Sequence, residues 1–283
     1  MKNILVPVDF SLCAEKAINF AVQSVKYIPA KITLYHAFDL QGNIYTDYMG
    51  VTKEYNQSLY NDVVNRLNLI KDSISKSDNV NVNVLILKNS FQKTLKDVVK
   101  ENNIELVIMG TLGASGISKI LFGSNASYAI GNSNVPLLAV PYEYEWKKPE
   151  RFLFATNQFE DNTHTLDFLF EIANLFMASV EASIFSSEKK DNTAQVVLHA
   201  HEAPHYENLI RKKYNEPTFT VTHILGKDFI DSVQEFIDKK NVDIIAMFTT
   251  KRNFLNKIFN PSITRKMSYY TKIPLLAVPT KAK

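Results

Sequence analysis

The stretch VPLLAVP at residues 135–141 occurs a second time, nearly unchanged, as IPLLAVP at residues 273–279 of the 283-residue chain. The same offset of 138 positions aligns NIELVIM (103–109) with NVDIIAM (241–247) without a gap. A match that keeps its offset over this distance is typical of an internal duplication. The sequence therefore predicts two homologous copies of one domain.

A second offset joins the beginnings of the two copies. ILVPVDFS (4–11) resembles FLFATNQF (152–159) at an offset of 148, so the copies differ in length between their first and fourth strands. We expect an N-terminal domain at residues 1–143 and a C-terminal domain at residues 149–283. A charged, proline-containing connection lies between them.

Each copy alternates short apolar runs with helical patterns. In the first copy the runs are NILVPV, KITLYHAF, VNVNVLIL, ELVIM and PLLAV. Near-continuous apolar strands that alternate with helices favour a parallel sheet covered on both faces. The predicted fold class is α/β, with two tandem doubly wound domains that each hold a five-stranded parallel sheet and helices on both faces.

Composition excludes several classes of protein. Hydrophobic residues make up 46% and charged residues 22% of the chain, as in soluble globular proteins. The net charge of +3 forms no basic block, which disfavours nucleic acid as a partner. Cys13 is the single cysteine, so an intrachain disulfide cannot form. No apolar stretch approaches the roughly 18 residues of a membrane span, and the beginning of the chain does not resemble a signal peptide. We expect a cytoplasmic protein without a membrane partner.

Half of the eight glycines lie in one connection, MGTLGASGISKILFGSNAS, at residues 109–127. The spacing is Gly110-x-x-Gly113, nine residues, then Gly123-Ser124. This connection follows a strand, and ligands of open α/β sheets bind beyond the carboxyl ends of the strands. Glycine allows close approach of the backbone, and a helix N-terminus suits phosphate. The pattern matches neither the Walker A loop nor the dinucleotide fingerprint. A merely flexible loop is the other interpretation.

This spacing, together with ILVPVDFS and PLLAVP, resembles the ATP-binding signature of the universal stress protein family, and the likeness covers the chain twice. The resemblance implies an adenine nucleotide α-hydrolase-like fold with an ATP pocket, with or without Mg²⁺, at the strand ends. By the family pattern the closing strands lie at sheet edges, so pairing them would make an internal pseudo-dimer, and a further homodimer is compatible with it. The implied function is a stress-response sensor or switch read by an unidentified protein partner. No catalytic residue and no dedicated enzyme activity are implied.

The resemblance also assigns the nucleotide site. Asp9 would lie near the ribose or the metal-bound phosphates, and Ala37 would offer backbone groups to the adenine. Leu112 departs from the pattern, because some nucleotide-binding members carry a basic residue there. The positions that match the family's site are Pro7, Val8, Asp9, Ala37, Met109, Gly110, Gly113, Gly123, Ser124 and Asn125.

The second copy lacks these features. The positions equivalent to the three motif glycines and the aspartate hold Phe248, Lys251, Pro261 and Asn157. Only the serine is kept, as Ser262. Side chains at the glycine positions would fill the space where phosphates lie and resist positive φ. The sequence therefore predicts a C-terminal domain that binds no nucleotide.

Two alternative functions stay open. A protein of the same fold that binds no nucleotide would serve as a scaffold. A metal-dependent hydrolase is suggested by HEAPH (201–205), which matches the zinc-protease pattern H-E-x-x-H, with His199 nearby. That pattern requires a continuous helix, and Pro204 is expected to disrupt one. We therefore predict no metal site.

Three residues of the first copy receive structural assignments. Ser11 is predicted to be the N-cap of the first helix. Cys13 is predicted to be a small, partly buried helix residue, and His36 a structural histidine at the end of the second strand.

Overall fold

The structure is a computed structural model that describes residues 2–38, 51–111, 123–156, 158–159, 166–189, 191–250 and 261–280. Its strands are β1 (Lys2–Pro7), β2 (Ala30–Phe38), β3 (Val82–Lys88), β4 (Leu106–Gly110), β5 (Leu137–Val140), β6 (Arg151–Thr156), β7 (Ser179–Ser187), β8 (Thr220–Gly226), β9 (Ile244–Thr250) and β10 (Leu275–Thr280).

Helices follow the strands in both halves. They are α1 (Leu12–Ser24), α2 (Val51–Asp78), α3 (Phe91–Glu101), α4 (Ser124–Asn132), α5 (Asp167–Phe176), α6 (Thr193–Tyr214), α7 (Phe229–Lys240) and α8 (Pro261–Tyr270). Within the described ranges, no helix combines the length and the apolarity needed to cross a membrane.

All the strands join one ten-stranded sheet, in the order β3-β2-β1-β4-β5-β10-β9-β6-β7-β8. Each half contributes five parallel strands, as predicted, in the order of a doubly wound α/β domain. The central strands are apolar on both faces and fully buried, which explains why they read as continuous apolar runs.

The strand register confirms both offsets of the repeat. Ile4 of β1 pairs with Leu106 of β4, and Phe152 of β6 pairs with Ile244 of β9. These two pairs are related by offsets of 148 and 138, the values found in the sequence. The length difference between the copies therefore lies between the strands and leaves the sheet register unchanged.

The two closing strands pair with each other, as expected from the family pattern. β5 and β10 run antiparallel, with Leu276 opposite Leu138 and Leu275 opposite Ala139. Helices α4 and α8 pack together over this pair and bury Ala126, Ala129 and Met267. The pairing removes the two apolar edges that the half-sheets would otherwise expose.

Helices cover the sheet on both faces. One face carries α1, α2, α5 and α6 over a core that includes Ile4, Leu34 and Phe154. The opposite face carries α3, α4, α7 and α8 over a core that includes Leu5 and Leu153. Adjacent residues of β1 and of β6 thus point into different cores, which is the alternation of a strand.

The connection between the halves is packed against both of them. The Trp146 ring meets the Phe20 ring of α1 edge-on, with 4.9 Å between centroids, and lies 6.4 Å from Phe176 of α5. Tyr144 is buried and lies 5.8 Å from Phe20. Aromatic contacts to both halves hold the connection in place.

A buried carboxylate fixes the entry to the second half. Asp243 Oδ2 accepts hydrogen bonds from the backbone N–H groups of Glu150 (2.8 Å) and Arg151 (2.9 Å), and Asp243 also forms an ion pair with Lys147. The first copy has a corresponding contact, because Glu105 accepts from the N–H of Asn3 at 3.2 Å. In both copies a carboxylate before the fourth strand holds the start of the first strand.

We predict that Asp243→Ala lowers the free energy of unfolding by about 3 kcal/mol, because two backbone amides and a lysine lose a charged acceptor. Urea unfolding measures the change. Asp238→Ala is the matched control, since Asp238 is exposed and, within the described residues, its side chain accepts a hydrogen bond only from Gln234. Its effect should stay within about 0.5 kcal/mol. Equal effects of the two substitutions would contradict the role of Asp243.

Candidate functional site

The predicted site lies where the strand order reverses in the first half. β1 is flanked by β2 on one side and β4 on the other. Pairs Pro7↔Tyr35 and Leu5↔Val107 set the register, so the carboxyl ends of β1, β2 and β4 lie at the same edge of the sheet. Such a crevice at the carboxyl ends of the strands is the usual ligand position in this fold class.

Asp9 begins the turn from β1 into α1. Its Oδ1 accepts hydrogen bonds from the backbone N–H (3.1 Å) and the hydroxyl (2.6 Å) of Ser11. The Ser11 Oγ in turn accepts from the N–H of Ala14 at 3.1 Å, which confirms Ser11 as the N-cap of α1. Asp9 itself is exposed, so its orientation is fixed by this turn while its carboxylate faces solvent.

Phe10, between these two residues, has a left-handed backbone with φ of 61°. This region is costly for a bulky side chain, so its neighbours must hold it. The guanidinium of Arg66, from α2, lies 3.9 Å from the centre of the Phe10 ring, and the His36 ring lies 5.1 Å away. A strained residue next to Asp9 marks this turn as a rigid part of the crevice.

His36 connects the ends of β1 and β2. Its Nδ1–H donates to the carbonyl of Val8 at 2.7 Å, which confirms its structural role and identifies the tautomer, because a carbonyl only accepts. Burial lowers the pKa of His36, against the opposing effects of the Val8 carbonyl and the nearby Asp9 carboxylate; Arg66 lowers it further. The imidazole is therefore held in its neutral form.

The ends of the glycine-rich connection meet at the end of β4. The N–H of Gly123 donates to the carbonyl of Thr111 at 3.0 Å, and the N–H of Thr111 donates to Val140 at 3.1 Å. Helix α4 therefore starts directly beside the carboxyl end of β4, with Ser124 and Asn125 exposed in its first turn. Gly113 and Leu112 lie outside the described residues.

The predicted site residues thus take two kinds of position. Val8 and Met109 are buried, and Pro7, Ala37 and Gly110 are half-buried at or near strand ends. Side chains that reach solvent are those of Asp9, Ser124 and Asn125. The described part of the site therefore offers one carboxylate, strand-end backbone and a helix N-terminus.

Gly110 and Gly123 of the motif are glycine for different reasons. A Cβ on Gly110 would lie 2.6 Å from the carbonyl oxygen and 2.7 Å from the Sγ of Cys13, so α1 packs on β4 only if this residue is glycine. Cys13 is correspondingly buried. Gly123 has φ −56° and ψ 132°, which every residue type can adopt. Packing explains Gly110, whereas backbone conformation does not explain Gly123.

The second half fills the equivalent positions with phenylalanine. Phe248, at the position of Gly110, is fully buried, and its ring lies 4.6 Å from that of Phe154. Its ring joins the core beneath the strand end, a correction to the expectation that it would occupy phosphate space. Phe185, at the position of Ala37, is also buried and meets Phe229 edge-on at 5.5 Å. Asn157, Lys251 and the side chains of Pro261 and Ser262 are not described.

Three histidines suggested a metal-dependent hydrolase, and the structure separates them. His199 points toward the sheet, where its Nδ1 lies 2.8 Å from the Ser186 hydroxyl, which also lies 2.9 Å from Nε2 of His223. His201 and His205 are exposed. No group of three or more histidine, cysteine or acidic residues is arranged for a metal ion within the described residues. The three histidines therefore do not form one site.

Helix α6 is continuous through Pro204, so the expectation that this proline would interrupt it is wrong. A capping box between Asn192 and Gln195 stabilises the start of the helix. Tyr206 and Ile210 bury its second half against the sheet. Capping and packing together offset the hydrogen bond that proline removes.

Comparison with known proteins agrees with this architecture. Residues 1–141 match the universal stress protein family. Two universal stress proteins of Methanocaldococcus jannaschii are similar to about half of the chain: one is 26% identical over 49% of this chain and 94% of its own length, the other 23% over 53% and 84%. The crystal structure of a universal stress protein from Archaeoglobus fulgidus aligns over 98% of both chains at 14% identity and a TM-score of 0.68, which supports the fold along the whole chain.

The chain therefore belongs to the universal stress protein family, with its N-terminal half as the matching part. The fold class predicted from the sequence is confirmed for both halves.

We predict that Gly110→Ala lowers the free energy of unfolding by about 2 kcal/mol, because the new methyl group meets the backbone of Cys13. Gly226→Ala is the matched control. Its Cβ would approach the Ser232 hydroxyl, the end of a side chain that can rotate away, so the cost should be smaller. Denaturant unfolding compares the two, and a larger loss in Gly226→Ala would refute the packing account.

The neutral His36 predicts a pH dependence of stability. Its folded pKa is lowered, so the unfolded chain takes up the proton more readily, and stability falls as the pH drops from about 6.5 through the folded pKa. His36→Gln should give a flatter curve of unfolding free energy between pH 7.5 and pH 5. Parallel curves for the two proteins would show that His36 does not contribute to the acid sensitivity.

Proposed function

We propose that this universal stress protein binds ATP, with or without Mg²⁺, in its N-terminal half, and acts as a stress-response sensor or switch in the cytoplasm. The proposed domains are residues 1–143 and 149–283. The second half serves as a structural partner without nucleotide. Family members are not generally dedicated enzymes, and we assign this chain a binding role with no catalytic residue.

The observation that carries the proposal is the position of the α4 N-terminus. The bond from Gly123 N–H to the Thr111 carbonyl holds the first turn of α4 beside the end of β4. The first amides of a helix have no partner within the helix, and its N-terminal end carries partial positive charge. Together they suit the phosphates of a nucleotide.

Gly123 supports the same assignment. Its φ and ψ angles are allowed for every residue type, so the backbone conformation does not require glycine here. Glycine at this position instead leaves room for a ligand to approach the helix N-terminus closely.

The other end of the crevice fits the nucleoside. Ala37 lies near the end of β2, which pairs with β1, and Asp9, in the turn after β1, has an exposed carboxylate oriented by Ser11. Carboxylates accept hydrogen bonds from ribose hydroxyls and bind Mg²⁺ through oxygen. We assign Asp9 to the ribose or the metal-bound phosphates, and Ala37 to the adenine.

The contrast between the halves supports a single nucleotide site. Phe185 and Phe248 fill the second half where the first half has Ala37 and Gly110. At the position of Gly110 the second half has Phe248, whose ring packs on Phe154 in the core, so the glycine of the family's motif is missing there. Nucleotide in the first half would then order the connection between Gly110 and Ser124 and change a surface that a protein partner reads.

We predict that calorimetry on the purified chain detects one ATP per molecule, and that Gly123→Val abolishes this binding. The valine suits the observed φ and ψ, so circular dichroism should show a folded protein, with only a small fall in the unfolding midpoint because valine is a poorer N-cap than glycine, while the Cβ branches enter the phosphate position. Retained affinity in a folded Gly123→Val protein would refute the site.

Lys251→Ala is the matched control, because Lys251 occupies in the second half the position of Gly113 in the first. Its ATP affinity should equal that of the unmodified chain. Mass spectrometry of gently purified protein provides a second measurement, since bound adenine nucleotide would be released on denaturation. A chain with neither co-purifying nucleotide nor measurable affinity would be a scaffold of the same fold.

A further inference from the structure

Helix α6 of the second half presents two histidines that the nucleotide site does not use. His201 and His205 are both exposed, whereas Ala203 and Tyr206 on the opposite side of the helix are buried. The helix runs without a break from Thr193 to Tyr214, so its geometry holds across both histidines.

The spacing of the pair is that of a chelate. Residues four apart lie on one face of an α-helix, about 6 Å apart along the axis. Both side chains point into solvent, where an ion has free access and water can fill the other coordination positions. Imidazole nitrogens suit zinc, copper and nickel, and two imidazoles at this spacing on a helix provide half of a tetrahedral shell.

Pro204 lies within the same turn. Because proline has no N–H, the helix loses there the hydrogen bond that would reach back to the carbonyl of Ala200. A metal ion bound by both His201 and His205 would bridge residues 201–205. It would therefore stabilise the turn in which the proline removes a hydrogen bond.

We propose that His201 and His205 chelate one divalent late first-row transition ion, Zn²⁺ or Cu²⁺, and that this ion clamps α6 across Pro204. His199 is not a ligand, because it lies on the inward side of the helix beside Ser186. The site is independent of ATP, since it lies on a helix of the other half. The ion stabilises the C-terminal half by binding the folded helix better than the unfolded chain.

The test uses the full chain, free of tags and stripped of metal. Zinc is titrated into it in a calorimeter, and thermal unfolding is measured at several zinc concentrations. We expect saturable binding of one Zn²⁺ per chain and an unfolding midpoint that rises with the logarithm of free zinc. His201→Asn and His205→Asn should each weaken binding by about tenfold or more and abolish the rise in midpoint.

A matched control keeps the number of histidines and changes only their spacing. The double variant His205→Asn/Asn208→His places the second imidazole seven residues from His201, about 10.5 Å along the axis, too far for both to bind one ion. It should bind zinc no better than His205→Asn. Positions 205 and 208 are both exposed, so the relocated imidazole is still accessible to the ion. Metal-free circular dichroism confirms that the variants fold.

Several results would overturn the proposal. These are the absence of saturable zinc binding, unchanged affinity in either single variant, or full affinity in the respaced control. Binding without any rise in the unfolding midpoint would refute the clamp across Pro204. ATP affinity, measured in parallel, should be equal in all the histidine variants, so failure here is separate from failure of the nucleotide site.

Discussion

The antiparallel pairing of β5 with β10 is the contact on which the arrangement of the whole molecule depends. Each half-sheet ends in a strand whose Leu-Leu-Ala-Val residues are buried, and such a strand left bare would recruit another chain. Pairing Leu138 with Leu276 turns two incomplete sheets into one and lets α4 and α8 pack across the junction. The connection supports this contact, because Trp146 packs on Phe20 of the first half and Phe176 of the second, and Lys147 forms an ion pair with Asp243 just before β9.

The sequence contained enough to predict the architecture, because a buried parallel sheet requires continuous apolar strands and a duplication repeats those strands at a fixed offset. The offsets of 138 and 148 that align the repeated sequences also relate the strand pairs β1–β4 and β6–β9. Ser11 and His36 were also predictable, since an N-cap and a strand-end histidine follow from local chemistry. The nucleotide assignment remains a prediction at this stage.

Other features depend on contacts between distant residues and leave no local signal. The left-handed Phe10 is held by Arg66 from α2, a residue 56 positions away. The close approach of Cys13 to Gly110 gives that glycine a packing role, where spacing alone pointed to a ligand. Pro204 is tolerated because capping and burial elsewhere in α6 outweigh a local rule. In each case tertiary packing decided what the sequence pattern left open.

Because β5 and β10 run in opposite directions, the strands of the two halves point to opposite edges of the shared sheet. The strand ends near Asp9 and their counterparts in the second half, near Phe248, therefore lie at opposite edges of the sheet. A partner that docks over one edge leaves the other accessible, so the duplication provides two separate surfaces instead of one enlarged pocket. One continuous sheet thus carries two unlike edges, and the antiparallel junction of β5 and β10 determines that they face in opposite directions.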